Sequence, residues 1–263
     1  MLPLKYFQGC ANAGDQFSLR LAEHFFGDHG IRPAADEALA EPNLVLLGSI
    51  ISWADSNSYV CGAGLILPTA KPSAPPAGIH CVRGPLTAHF LNLQGIDCPA
   101  RYADPGVLAP LLFPSLEPVR APFGVLPHYV DRQHPWVERC RREGLAVIDP
   151  TQPLADYFSA LQACEIILSS SLHGIIFAHA YGKPALWIEL SNAVLGDGFK
   201  FHDYYLSIGI APGTVRRIRI EEDTRVEDLL PLATTGSHER LVATIRESID
   251  MARQALFEEV IRT

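Results

Sequence analysis

His173 has the best credentials for chemistry in this chain. It stands in Ser169-Ser170-Ser171-Leu172-His173-Gly174, after the branched run Ile166-Ile167-Leu168 and before Ile175, Ile176, Ala178 and Ala180. The first run reads as a buried parallel strand, and His173-Gly174 then opens a helix that stops at Gly182-Lys183-Pro184. Ala185-Leu186-Trp187-Ile188 resumes as the next strand, so the segment is one βαβ unit with a histidine at the carboxyl end of a strand. An imidazole gives or takes a proton near neutral pH, and the helix N-terminal amides at Gly174 and Ile175 favour an anion beside it. A histidine that merely caps its own turn satisfies the same local pattern. The three serines suggest a hydrolase, with Ser170 beside the histidine, but no GxSxG elbow accompanies them and a serine nucleophile is not expected.

Other polar residues sit at comparable points. Asn12 and Asp15 fall in the first strand-to-helix turn, where such residues often only cap a helix. Asp104, before Pro105, is divided between turn former and cleft residue. Arg83 follows the short strand Ile79–Val82, and Lys183 lies in a helix-stop turn. The six cysteines show no CxxC pair, and His128, His134 and His179 form no HExxH or facial-triad pattern, so no built-in metal is expected. The cysteines are expected to be reduced and mostly buried.

The elements that must position these groups alternate along the chain. Leu4–Phe7 leads into a helix carrying Phe17, Leu21, Phe25 and Phe26; Asn43–Leu47 is a buried strand; a run through Tyr59 and Val60 reaches Gly62-Ala63-Gly64; and Arg83-Gly84-Pro85 starts a helix with proline at a position where its missing N–H costs little. Four prolines between Pro110 and Pro122 mark a crossover. The alternation then repeats, with strands at Gly124–Leu126 and Leu145–Ile148, helices at Trp136–Glu143 and Leu154–Ala163, the His173 unit, and a strand at Val215–Ile220. A final helix from about Ser237 sets Leu241, Ile245, Ile249, Ala252 and Leu256 on one face. The expected fold is α/β, two Rossmann-like domains facing a cleft: residues 1–115, 116–236, and a C-terminal helix 237–263 packing back. No sequence repeat links the halves, and neither GxGxxG nor GxxxxGK[ST] is present.

Composition bounds the function. With 263 residues, 48% hydrophobic against 19% charged, the chain can fill one large or two modest cores. A formal charge of −8 argues against a general nucleic-acid binder. No segment approaches the roughly 18 apolar residues of a membrane span, and the N-terminus lacks a signal-peptide pattern, so the expectation is a cytoplasmic chain, able to work at the inner face of the membrane.

The motifs NAGD at 12–15, LLGSI at 46–50, CGAGLI at 61–66, VRGPLT at 82–87, ADPGVL at 103–108, LPHYVD at 126–131, SSSLHGIIFAHAYGKPALW at 169–187 and DGFKFHDYY at 197–205 resemble, in that order, the polysaccharide pyruvyl transferase family. The similarity spans roughly residues 8–210 and looks closest to members that decorate bacterial exopolysaccharide repeat units. It implies a glycosyltransferase-B-like fold, phosphoenolpyruvate as donor substrate with no other cofactor, and transfer of its carboxyvinyl unit to two sugar hydroxyls as a cyclic ketal. The acceptor implied is a lipid-linked oligosaccharide or repeat unit. Peripheral membrane association and a homo-oligomer both remain compatible with it.

The resemblance also distributes roles. His173 matches the family's histidine and becomes the general acid/base, with Asp15 a candidate second base. Arg83 matches the arginine of the RGP motif and is expected to grip the phosphate or carboxylate through its planar fork, unless it forms an interdomain ion pair. Lys200 is set against a family lysine that neutralises donor charge, or is a solvated loop lysine. Asn12, Asp104, Ser170 and the Gly174 amide complete the expected substrate contacts. Many members carry arginine where this chain has Ser171, so one anion contact is absent or is supplied by His128 or Lys200. Two other classes remain open: a nucleotide-sugar glycosyltransferase of the same architecture, and a noncatalytic sugar-binding component.

Overall fold

The computed structural model describes residues 1–114 and 118–262. Its N-terminal half runs β1 (Leu2–Lys5), α1 (Ala13–Phe26), β2 (Ile31–Ala34), β3 (Asn43–Val45), β4 (Ser58–Cys61), β5 (Gly78–Cys81), α2 (Pro85–Leu93) and the short α3 (Ala109–Leu112). The second half follows with β6 (Ala121–Leu126), α4 (Pro135–Arg142), α5 (Leu154–Gln162), β7 (Cys164–Ser169), α6 (Leu172–Ala180), β8 (Ala185–Glu189), α7 (Phe199–Ser207), β9 (Arg217–Arg219), α8 (Val226–Leu229) and α9 (Glu239–Arg262). Two parallel sheets result, ordered β2-β1-β3-β4-β5 and β6-β7-β8-β9. This is a Rossmann-like α/β arrangement. The boundary expected between residues 115 and 116 lies outside the described residues.

The strands read as continuous apolar runs because helices cover both faces of each sheet. Leu44, Val45, Val60 and Cys61, and in the second sheet Val125, Ile167, Leu168 and Ile188, have no exposed surface. The halves share one aromatic core. Phe17 of α1 meets Phe158 of α5 and Phe177 of α6 edge-on at centroid distances of 5.8 and 5.2 Å. Leu241, Ile245, Ile249, Ala252 and Leu256 are buried along one face of α9, which crosses back onto β4 and β5 of the first sheet.

Three segments differ from expectation. Residues 145–148 form a single bridge, Val147 to Val125, rather than a strand, because the chain turns away at Asp149-Pro150 after two backbone hydrogen bonds. β2, which has Pro33 in its middle, was not anticipated; it survives as an edge strand where a missing N–H is tolerated. Lys200 lies not in a loop but in the first turn of α7, which starts beyond Gly198 at φ 80°. Gly62 and Gly64 are packing glycines and no phosphate cradle: a Cβ would meet Pro105 Cδ at 2.4 Å and the Arg83 guanidinium carbon at 2.3 Å.

Candidate active site

A cleft of about 330 Å³ opens at the carboxyl ends of β1, β3, β6 and β7, where parallel sheets place ligands. It gathers Asn12 and Asp15 from the start of α1, His128 after β6, Ser171 and His173 at the start of α6, and Lys200 from α7. Both halves contribute. The positions considered as substitutes for the missing arginine, His128 and Lys200, thus face the same space as Ser171.

His173 is part-exposed in the cleft, and neither ring nitrogen has a protein hydrogen-bond partner among the described residues; Nε2 is also shut off from water. Burial pushes its pKa down to about 3, helped by the positive charges of Lys200 and Arg83 and by His128. The free ring is therefore neutral. α6 begins at Leu172, one residue earlier than expected, with no side-chain cap from Ser171. Its uncommitted amides are those of Leu172, His173 and Gly174, whereas the Ile175 N–H donates to the Ser171 carbonyl at 3.4 Å.

The imidazole of His173 packs over the backbone of Gly14. A Cβ on Gly14 of α1 would lie 2.2 Å from His173 Nδ1. Gly14→Ala suits a helix, alanine being favoured by about 1 kcal/mol, yet it forces the imidazole aside. We expect this variant to keep its melting temperature and to lose about 100-fold in turnover, a typical cost of misplacing a reacting group by an ångström.

Lys200 is only 8% exposed, and among the described residues no carboxylate or hydrogen-bond acceptor meets its ammonium; the ring of Phe201 lies 5.8 Å away. Burial and the nearby Arg83 lower its pKa to about 8, which leaves it mostly charged at neutral pH. A buried cation without a partner is costly and marks a place for an anion. Lys200→Met is expected to raise the melting temperature. It should also weaken binding of the anionic substrate by about 10- to 100-fold, the worth of one hydrogen bond to a charged group, measurable by titration calorimetry.

Asp15 accepts hydrogen bonds from the Asn12 side-chain amide and the Phe7 backbone N–H, but burial outweighs both and raises its pKa to about 6. Asn12 caps α1, its Oδ1 accepting from Asp15 N at 3.2 Å, so the capping reading is realised while both residues also face the cleft. His128 accepts from Val130 N through Nδ1 and is held neutral by burial and Lys200, its pKa pushed down to about 3.

Three expected contacts, Arg83, Asp104 and Ser170, lie elsewhere. Arg83 is fully buried behind Ser49 and does not line the cleft: Nε donates to Asp203 Oδ2 at 3.0 Å, one terminal nitrogen to Ser49 Oγ and the other to the Leu65 carbonyl, each at 2.7 Å. The ion pair between halves, not an open fork, is what stands there. Asp203, which sequence reasoning missed, also accepts from the Thr87 N–H and hydroxyl, and so bolts α7 and its Lys200 to the first half. Asp104 is buried beneath the cleft, with Oδ1 accepting from Gly106 N, Oδ2 unpartnered, and a pKa raised by burial to about 6. Ser170 points to the other side of its strand, donating to Asp131 Oδ2 and accepting from the His128 N–H. It helps fix the His128 loop. Gly174 serves packing, since a Cβ there would press on Ser169 Oγ at 2.3 Å. Lys183 is spent on the carbonyls of Gln162 and Cys164.

A second cavity of about 320 Å³ lies beyond Leu195, beside Trp187 and Arg217. There the guanidinium of Arg217 is neutralised by Glu189 and Asp197. The uncompensated positive charge belongs to the first cleft.

Fold and site together define paired parallel α/β units with a cationic cleft at their strand ends. Residues 59–192, just over half the chain, match the polysaccharide pyruvyl transferase family, and the chain belongs to that family. It is 27% identical over 260 residues to the uncharacterized protein L143 of Acanthamoeba polyphaga mimivirus, covering 94% of this chain and 88% of that one. It is also 27% identical over 239 residues to the succinoglycan biosynthesis protein ExoV of Rhizobium meliloti (strain 1021), covering 88% of this chain and 71% of the relative. Among the described residues no helix is long and apolar enough to cross a membrane.

Proposed function

We propose that this protein is a phosphoenolpyruvate-dependent ketal pyruvyl transferase acting on a sugar of a lipid-linked exopolysaccharide repeat unit, at the cytoplasmic face of the membrane, with its two halves arranged in a glycosyltransferase-B-like manner. One observation carries the reading: an unpaired, nearly buried ammonium on Lys200 shares a cleft with the unpartnered imidazole of His173 and the free amides that open α6. Such a site favours an anion, and the family supports one that carries a pyruvyl group.

The chemistry follows from the charge state of each group. His173 is neutral in the free protein because burial and neighbouring cations depress its pKa. A bound phosphoenolpyruvate brings negative charge that opposes those cations and raises the proton affinity of the ring. The imidazolium then protonates the methylene carbon, leaving positive character at the carbon that bears phosphate and carboxylate. A sugar hydroxyl attacks there as Asp15, held near pKa 6, takes its proton. Phosphate leaves toward Lys200 and the amides of Leu172–Gly174, taking the proton held by Asp15, and a second hydroxyl closes the ketal as its own proton returns to His173. Each turnover joins one diol to one phosphoenolpyruvate and releases one phosphate.

The test is incubation with isotopically labelled phosphoenolpyruvate and a panel of lipid-linked oligosaccharides. The expected product has gained one pyruvate less one water, with stoichiometric phosphate. Consumption of a nucleotide sugar with nucleotide release would instead assign a glycosyltransferase, and binding without turnover a noncatalytic component.

A further inference from the structure

The acid/base and anion contacts account for one end of the cleft and leave its mouth unexplained. There Phe7, just after β1, and Tyr129, just after β6, lie nearly parallel, with ring centroids 6.3 Å apart and planes inclined by 20°. Both are half-buried and line the cleft. They come from different halves, so neither half alone has this wall.

Their setting is polar as well as aromatic. The Phe7 N–H is bound to the Asp15 carboxylate, and Asp15 lies near enough to Tyr129 to raise the pKa of its phenol, after burial and together with Cys10. Phe7 folds over Gly9, where a Cβ would come within 2.6 Å of its ring. Trp53 adds a third half-buried aromatic group to the same cleft, its carbonyl pinned at 2.7 Å by the buried Lys5 ammonium, which is paired with Asp55. Such a wall has no use for a three-carbon enol phosphate, which is charged at both ends. It suits a ring with an apolar C–H face and hydroxyls on its rim.

We propose that Phe7 and Tyr129 form the acceptor subsite, a wall shared by the two halves on which the C–H face of a pyranose packs while its rim hydroxyls reach Asp15 and Asn12. This rests on the pyruvyl transfer reading for the identity of the reaction, but not for the binding of a sugar. Because the wall needs one ring from each half, acceptor binding reports on how the halves sit together.

The test uses the full chain and two probes, methyl β-D-galactopyranoside and methyl β-D-glucopyranoside, in saturation-transfer NMR, with phosphorus line broadening of phosphoenolpyruvate recorded on the same samples. The wild-type protein is expected to transfer saturation to the axial ring protons of at least one glycoside. Phe7→Ala, Phe7→Leu and Tyr129→Ala are each expected to weaken that binding about tenfold and leave phosphoenolpyruvate broadening unchanged, while Phe7→Tyr retains it. Phe7→Leu keeps apolar bulk without a π face, so its loss separates stacking from mere packing. Glycoside binding that is absent in the wild type, or equal in all variants, would overturn the proposal. Glycoside binding that depends on Phe7 and Tyr129, in a wild-type protein that ignores phosphoenolpyruvate, would support the subsite and remove the pyruvyl reading.

Discussion

His173→Gln is expected to lower phosphate release from phosphoenolpyruvate by about 100- to 10,000-fold, the range that positioned general acid–base groups contribute. The loss should appear in turnover, with phosphoenolpyruvate binding little changed, because Lys200 and the α6 amides remain. Stability should not fall with it. The imidazole has no protein hydrogen bond to lose, and its Nε2 is buried without a partner, so its removal forfeits only ring packing, including the contact with Phe177 at 5.9 Å. The pH dependence of unfolding gives an independent check. In the folded chain His173 titrates near 3, whereas an unfolded histidine takes its proton near 6.5. Below about 6.5 the unfolded state therefore binds more protons, and this residue's contribution to stability declines as the pH falls toward 3. The variant lacks that contribution, so its stability should decline less steeply over the same window.

Asp203→Ala is expected to have the largest effect on folding. It leaves the Arg83 guanidinium fully buried beside the Thr87 hydroxyl with no carboxylate, and breaking one side of a buried pair costs about 3–5 kcal/mol. For a chain of this size that lowers the melting temperature by roughly 6–20 °C. The double variant Arg83→Met/Asp203→Leu should recover much of this, since the penalty comes from the orphaned charge more than from the lost attraction. Its activity should stay low, however. Asp203 lies one turn beyond Lys200 on α7 and anchors that helix to Thr87 and Arg83, so loosening it removes the fixed placement of the ammonium even when the fold is restored. Thermal unfolding and the phosphoenolpyruvate KM, measured on all three proteins, separate the two effects.

What was legible in the chain was whatever depends on local pattern. The βαβ unit around His173 appears close to where the apolar runs put it, as β7, α6 and β8, because buried parallel strands are continuous in hydrophobicity and glycine and proline end the intervening helix. The face of α9 was visible for the same reason. Partnerships across long chain separations were not. Nothing in the residues around Arg83 announces Asp203, 120 positions later, so the sequence left the guanidinium divided between a substrate grip and an ion pair between halves, and the ion pair is what forms. Gly14 carries no sign that His173 rests against it, since a missing side chain looks like any turn glycine until the neighbouring element is placed. Lys200 was left open between a donor-neutralising lysine and a solvated loop lysine, and the left-handed Gly198 is the cap from which α7 starts, carrying Lys200 in its first turn. Asp104 turns out to be the turn former, capping the short helix that begins at Pro105, and Ser170 follows β7 but turns toward Asp131, choices that adjacent packing makes.

A crystal structure of the protein with phosphoenolpyruvate bound decides whether Lys200 and His173 hold that molecule between them. The phosphate is expected against the Lys200 ammonium and the first-turn amides of α6, with the methylene carbon turned to the imidazole. Phosphoenolpyruvate seated beside Arg217 in the second cavity, with Lys200 and His173 untouched, would contradict it.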